Sequence, residues 1–155
     1  LNGELKEEIY MVQPEGAVSA DSEGKVCRLL KSLYGLKQSG RSWYETLDRK
    51  LLEEGMSKCK AEPCIYFRDT KLAKSIVLVY VDDLIIISTN NKGIEETKAM
   101  LRKNFEMKDL GELNYILGIQ IKKRENGSIA LNQSKYICEI LEEFKMDQCR
   151  PVTTP

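Results

Sequence analysis

The chain has 155 residues, 42% of them hydrophobic and 31% charged, with 24 basic and 24 acidic side chains. That is enough apolar material for the core of one domain of ordinary size, and it excludes disorder as the default. A zero formal charge also departs from the basic balance common in stand-alone nucleic-acid binders.

The charge is unevenly spread. Residues 1–24 hold one Lys against six acids, whereas residues 25–60 hold nine Lys or Arg against four acids. A neutral total can therefore contain a basic face, or simply two ordinary solvated surfaces. The five Cys and absent His argue against both a closed disulfide set and an ordinary zinc site. Cys59 and Cys64 have no C-x-x-C spacing, so free thiols in a reducing compartment are expected. The longest apolar run, residues 76–87, is interrupted by two Asp and is too short to span a membrane. No signal-peptide pattern opens the chain. It begins at Leu1 rather than Met, as a piece of a longer protein or an incomplete sequence would.

In chain order, residues 9–13 and 26–30 read as the strands of a hairpin around the polar, turn-rich residues 14–24. A turn-rich passage over residues 32–40 leads to a helix over 41–54, where Trp43, Leu47 and Leu51 form one apolar stripe and Gly55 sits at the C-terminal cap. Residues 65–67, 76–81 and 84–88 read as strands, followed by a helix over 92–105 with Ile94, Thr97, Leu101 and Phe105 on one side. A hairpin of 115–121 with 128–131 turns at Asn126-Gly127. Ser134 caps a third helix whose Tyr136, Ile137, Ile140, Leu141 and Phe144 face inward. Strands and helices mix without a βαβ rhythm, so the predicted class is α+β, an antiparallel sheet with helices packed on it.

The most informative stretch is Ile76-Val77-Leu78-Val79-Tyr80-Val81-Asp82-Asp83-Leu84-Ile85-Ile86-Ile87. Its pattern predicts two buried strands with Asp82 and Asp83 in a two-residue turn, side chains near one open face. Adjacent carboxylates repel, and placing them between buried strands costs several kcal/mol without a compensating cation or donor. A divalent metal such as Mg²⁺ would compensate, and two such ions can drive phosphoryl chemistry. By spacing alone, a solvent-exposed acidic turn is an equal alternative.

Other segments weigh on that choice. Tyr80-Val81-Asp82-Asp83 between apolar strands resembles the palm motif of reverse transcriptases. Ser32-Leu33-Tyr34-Gly35-Leu36-Lys37-Gln38-Ser39 followed by Trp43 resembles the signature upstream of that motif in copia-type retrotransposon polyproteins. Leu1-Asn2-Gly3-Glu4-Leu5, Gln13-Pro14-Glu15-Gly16, Met107-Lys108-Asp109-Leu110-Gly111, Tyr115-Ile116-Leu117-Gly118-Ile119, Gln133-Ser134-Lys135-Tyr136 and Cys149-Arg150-Pro151 continue the resemblance in order along the whole chain.

The resemblance implies a palm over residues 1–124, incomplete at its N-terminus, with a hairpin strand and helix over 125–155 beginning the thumb or connection. Asp82 and Asp83 would be metal-binding catalytic carboxylates of a two-Mg²⁺ site. Tyr80 would pack near the primer end. Lys37 and Gln38 would lie in the loop positioning the incoming nucleotide and template base, on the same side of the sheet as the acidic turn. Residues 115–121 would grip the primer. The partners implied are an RNA template, a DNA primer and deoxynucleotides, in a cytoplasmic virus-like particle or the nucleus. Gly40 and Ala17 stand where the family commonly has Pro and an aromatic residue. The family's remaining metal-binding Asp falls just upstream of the segment matching Leu1-Asn2-Gly3, so this chain alone is expected to be inactive. A second reading is a catalytically inactive remnant, inert or weakly bound to nucleic acid. There, Lys122-Lys123-Arg124 offers either phosphate contacts or merely a solvated hairpin end.

Overall fold

The computed structural model describes residues 3–17 and 24–153. The class is α+β, with three antiparallel sheets and three helices among the described residues. The chain divides into two compact units, Leu1–Met107 and Lys108–Pro155.

In the first unit, β1 (Tyr10–Val12) pairs antiparallel with β2 (Val26–Arg28), Met11 opposite Cys27, as the hairpin pattern predicts. Residues 18–23 of the intervening loop lie outside the described residues. Helix α1 (Ser39–Glu53) begins two residues earlier than the sequence suggested. Gln38 stands at the N-cap without a side-chain capping bond. Ser39 is buried, and its hydroxyl instead donates to the Leu33 carbonyl, tying down the turn-rich passage. At the other end the Gly55 N–H donates to the Leu52 carbonyl and the Met56 N–H to the Leu51 carbonyl, both at 3.0 Å. This paired pattern closes a helix through a left-handed residue, and Gly55 supplies it at φ +82°. The closure buries Met56 beside Leu51.

A four-stranded sheet follows in the order β3 (Ser57–Lys58), β4 (Ile65–Asp69), β5 (Lys74–Tyr80), β6 (Asp83–Ser88). The two-residue β3 carries too little pattern to be read in advance. Along β5 the side chains alternate: Ser75 and Val77 are buried, whereas Lys74 and Ile76 are exposed. Val77 lies between Tyr66 on β4 and Ile86 on β6. Leu47 and Leu51 of α1 cover this face together with Met100 and Leu101 of α2 (Asn91–Asn104). Both helices thus share one face of the sheet. On the other face Phe67, Ile76 and Ile87 remain exposed.

Tyr66 is fully buried, so its hydroxyl needs a partner. It donates to Asp48 Oδ1 at 2.5 Å, and Lys58 Nζ also lies 2.5 Å from Asp48. The ammonium sits 5.2 Å from the Tyr44 ring centroid and 5.8 Å from that of Tyr66. Burial pushes the Asp48 carboxyl up, but hydrogen bonds from Lys58 and Tyr66 outweigh it and hold the group below its usual value. Burial first, then the Asp48 bond, raises the Tyr66 hydroxyl.

Helix α2 is capped by Asn90, whose side-chain oxygen accepts from the Gly93 N–H at 2.9 Å while its amide donates to the Leu72 carbonyl at 2.8 Å. Gly93 brings the helix hard against the sheet. A Cβ there would lie 2.2 Å from Ser88 Oγ and 2.7 Å from the Ala73 Cβ. The predicted face of α2 is found, with Thr97 and Leu101 buried, but Gly93 and Met100 are buried too.

In the second unit the expected single strand over 115–121 is two strands. β7 (Tyr115–Ile116) turns back at Leu117-Gly118 to pair with β8 (Ile119–Lys123), Ile116 opposite Ile119. Leu117 and Gly118 both have positive φ, 51° and 78°, the signature of a tight two-residue hairpin. The leucine at its first position conceals that turn from sequence reading. The second hairpin does turn at Asn126-Gly127, joining β8 to β9 (Ile129–Asn132). A division after residue 124 would run between these two paired strands. Helix α3 (Ser134–Glu143) has Gln133, not Ser134, at its N-cap, and the Asn132 side chain accepts the Ser134 N–H. Its expected inward stripe is largely outward: Tyr136, Ile137 and Phe144 are exposed, and only Ile140 and Leu141 are half-buried. One short helix and three short strands enclose too little volume to cover it. Among the described residues no helix is long and apolar enough to cross a membrane.

Two outcomes test this packing. Gly93→Ala should destabilise the chain by about 1–3 kcal/mol in urea unfolding, because overpacking outweighs alanine's better helix propensity. Because folding depresses the Asp48 carboxyl, its contribution is present above the unfolded value of about 4 and is lost as pH falls through the folded value. Asp48→Asn should therefore be less stable than wild type at pH 7, with the difference shrinking below about pH 4.

Candidate functional site

The β5–β6 hairpin sets the site. Tyr80 and Asp83 form its last cross-strand pair, so the two turn residues are Val81 and Asp82. The expected Asp82-Asp83 turn is thus displaced by one position: Asp83 opens β6. Directly opposed residues share a sheet face. Asp83 therefore lies with Tyr80 on the open face, in line with Leu78 and Ile76, while Asp82 projects from the turn itself. Tyr80, Asp82 and Asp83 are all exposed.

Val81 is the strained residue. Its φ is +54°, a region that β-branched residues avoid. A positive φ at the first central position of a two-residue hairpin ordinarily calls for Gly. Strain of this kind costs about 1–3 kcal/mol and persists only where the surroundings hold it. Here they do: Trp43 Nε1 of α1 donates to the Val81 carbonyl at 2.8 Å. The indole in turn packs edge-on against Phe105, the C-cap residue of α2, with centroids 5.5 Å apart. The sequence placed Trp43 in an apolar stripe and at the end of the family signature, with no contact to the acidic turn. Its bond to a residue 38 positions away has no sequence signal, although a lone Trp beside a turn-rich passage was a place to look.

The same bond brings the N-terminal half of α1 to the turn end of the sheet, as does the Tyr44 hydroxyl, which donates to the Pro63 carbonyl at 3.0 Å. Lys37 is exposed and Gln38 half-buried just before that helix. No hydrogen bond or ion pair joins the side chain of either one to Tyr80, Asp82 or Asp83, and neither Asp carboxylate has such a partner among the described residues.

Two unpartnered, exposed carboxylates are a donor set that suits a hard divalent cation. They do not make a complete site for two ions. Among the described residues no three acidic or thiol side chains come together. The pair offers carboxylate oxygens at the turn alone and does not by itself enclose a cation.

Comparison with known sequences identifies the family. The model of the reverse transcriptase (RNA-dependent DNA polymerase) family matches residues 1–155. The chain belongs to that family, within its copia-type retrotransposon group. It is 44% identical over its whole length to the retrovirus-related Pol polyprotein from transposon TNT 1-94 of Nicotiana tabacum, of which it covers 12%. It is 39% identical to the corresponding polyprotein from transposon RE1 of Arabidopsis thaliana, covering 10%. A Ty5-1 transposon protein of Saccharomyces cerevisiae is 34% identical over the full chain, which spans half of that protein. The chain is therefore a small part of the length of the Pol polyproteins it resembles. No solved structure matches it.

Removing the strain should be measurable. Val81 is half exposed and little burial is lost with its side chain. Val81→Gly should therefore raise stability by roughly 1 kcal/mol, seen as a higher unfolding midpoint.

Proposed function

We propose that this chain supplies the catalytic turn and surrounding palm of an RNA-directed DNA polymerase. The observation that carries the reading is the exposed, unpartnered Asp82–Asp83 pair at a strained hairpin turn, within a chain of the reverse transcriptase family. The palm falls on residues 1–124 and the start of the thumb on 125–155. This is a functional boundary rather than a packing one, so it need not coincide with the compact division.

In this reading Asp82 and Asp83 hold Mg²⁺ on the turn. Bound there, the ions would lower the pKa of an attacking primer hydroxyl and neutralise charge on the leaving phosphate oxygens. Tyr80, on the face it shares with Asp83, offers an apolar ring to the primer end. Lys37 presents an exposed ammonium to the triphosphate, and Gln38 a neutral donor and acceptor to the template base. The β7–β8 hairpin grips the primer strand. The partners are an RNA template, a DNA primer and deoxynucleotides. A two-ion set calls for a further carboxylate, and none joins the pair among the described residues.

The test is extension of a primed RNA template with Mg²⁺ and deoxynucleotides. The 155-residue chain brings no third acidic side chain to the pair among its described residues and should show no extension, whereas a longer version that contains it and supplies one should. Asp82→Asn or Asp83→Asn in the longer version should cut the rate by about a hundredfold or more. Extension by the short chain would mean the carboxylate set has been misassigned. A longer chain indifferent to both substitutions would remove the turn from the mechanism.

A further inference from the structure

We propose that Trp43 is a positioning residue for the Asp82 and Asp83 carboxylates, holding Val81 in its left-handed conformation through the indole N–H. The proposal deepens the metal-site reading above and rests on it.

The indole bond is the only hydrogen bond or ion pair among the described residues that ties a side chain of either covering helix to the turn backbone at Val81 or Asp82. It ends on the carbonyl of the residue whose backbone is strained, φ +54°. The orientation of that peptide decides where the next residue, Asp82, points. If Val81 relaxed to negative φ, the peptide would rotate, Asp82 would swing with it, and the Tyr80–Asp83 pair would lose its register. The donor, by contrast, is poorly free to move. Trp43 lies on the core-facing stripe of α1, four residues before the buried Leu47, and its ring meets Phe105 at an interplanar angle of 72°. Both helices that cover the sheet therefore bear on one carbonyl oxygen. A residue doing only packing work would need the ring and not the N–H.

That distinction sets the test. Trp43→Phe keeps an aromatic ring against Phe105 and removes the donor. Mn²⁺ serves as the probe, its free concentration read by electron paramagnetic resonance, with circular dichroism establishing that each variant is folded. Loss of one hydrogen bond's worth of preorganisation should weaken Mn²⁺ binding about fivefold. In a Val81→Gly background, where positive φ is freely accessible, the same Trp43→Phe change should weaken it less than about twofold. The doubly substituted Asp82→Asn, Asp83→Asn chain should not bind Mn²⁺.

A second measurement needs no change at position 43. The chain has one Trp, so excitation of tryptophan should produce sensitised Tb³⁺ emission from an ion on the turn, absent in the doubly substituted chain. Mn²⁺ binding that survives loss of both carboxylates would overturn the metal-site reading itself. Binding lost there but unchanged by Trp43→Phe would overturn only the positioning role, as would an equal effect of Trp43→Phe in both backgrounds. Mn²⁺ binding without sensitised Tb³⁺ emission would place the ion away from Trp43 and overturn the proposal as well.

Discussion

The first unit depends on burying one face of β5. Val77 has no exposed surface, and it sits between Tyr66 and Ile86 under Leu47, Leu51, Met100 and Leu101. Because side chains alternate along a strand, that burial fixes the register of its neighbours on both sides: a one-residue slip of β6 against β5 would turn Ile86 outward while Val77 stayed in the core. The same alternation leaves Phe67, Ile76 and Ile87 on an open face. The hairpin that carries the carboxylates is thus packed from one side only, which is what lets charged residues stand at its end without being buried.

Such a hairpin has to be fastened at both ends if its turn is to hold an unfavourable backbone. Away from the turn, Ser75 and Ser88 hydroxyls meet at 3.0 Å, and Asn90 ties the start of α2 to Leu72. At the turn, the Trp43 N–H meets Val81. Strain at functional turns persists where surrounding structure over-determines it. Here the over-determination has an identifiable source, two helices locked to the sheet by one core. The Tyr66–Asp48–Lys58 cluster supports this from within: it satisfies the one buried phenol beneath α1 at the cost of making that packing sensitive to acid.

The second unit is built differently. Two tight hairpins in succession, at Leu117-Gly118 and Asn126-Gly127, make a small sheet from local contacts. Lys135 lies 5.6 Å from the Tyr115 ring centroid, and Lys123 pairs with Glu112. These are surface interactions, of modest strength. The unit is held by hairpin closure rather than by a core, and the apolar stripe of α3 stays largely in solvent.

Much of this was legible from residues alone. Alternation in the apolar run, the 3.6-residue stripe through Leu47 and Leu51, Gly55 as a terminator and Asn126-Gly127 as a turn are local signals, and each has a local physical cause. The resemblance along the chain likewise pointed to the family, and Asp82 and Asp83 stand out because acids inside a β-branched run are costly anywhere. Local reasoning failed where a residue's conformation is imposed from afar. Which pair of residues makes the turn is decided by the Tyr80–Asp83 register, set in turn by core burial at Val77. That Val81 can adopt a glycine-like backbone depends on an indole 38 residues earlier. That Gly93 is needed follows only from its approach to Ser88 and Ala73. Sequence determines which residues prefer water, apolar surroundings or a turn; only tertiary contacts decide which of those preferences are overridden, because the energy that overrides them comes from residues distant in the chain.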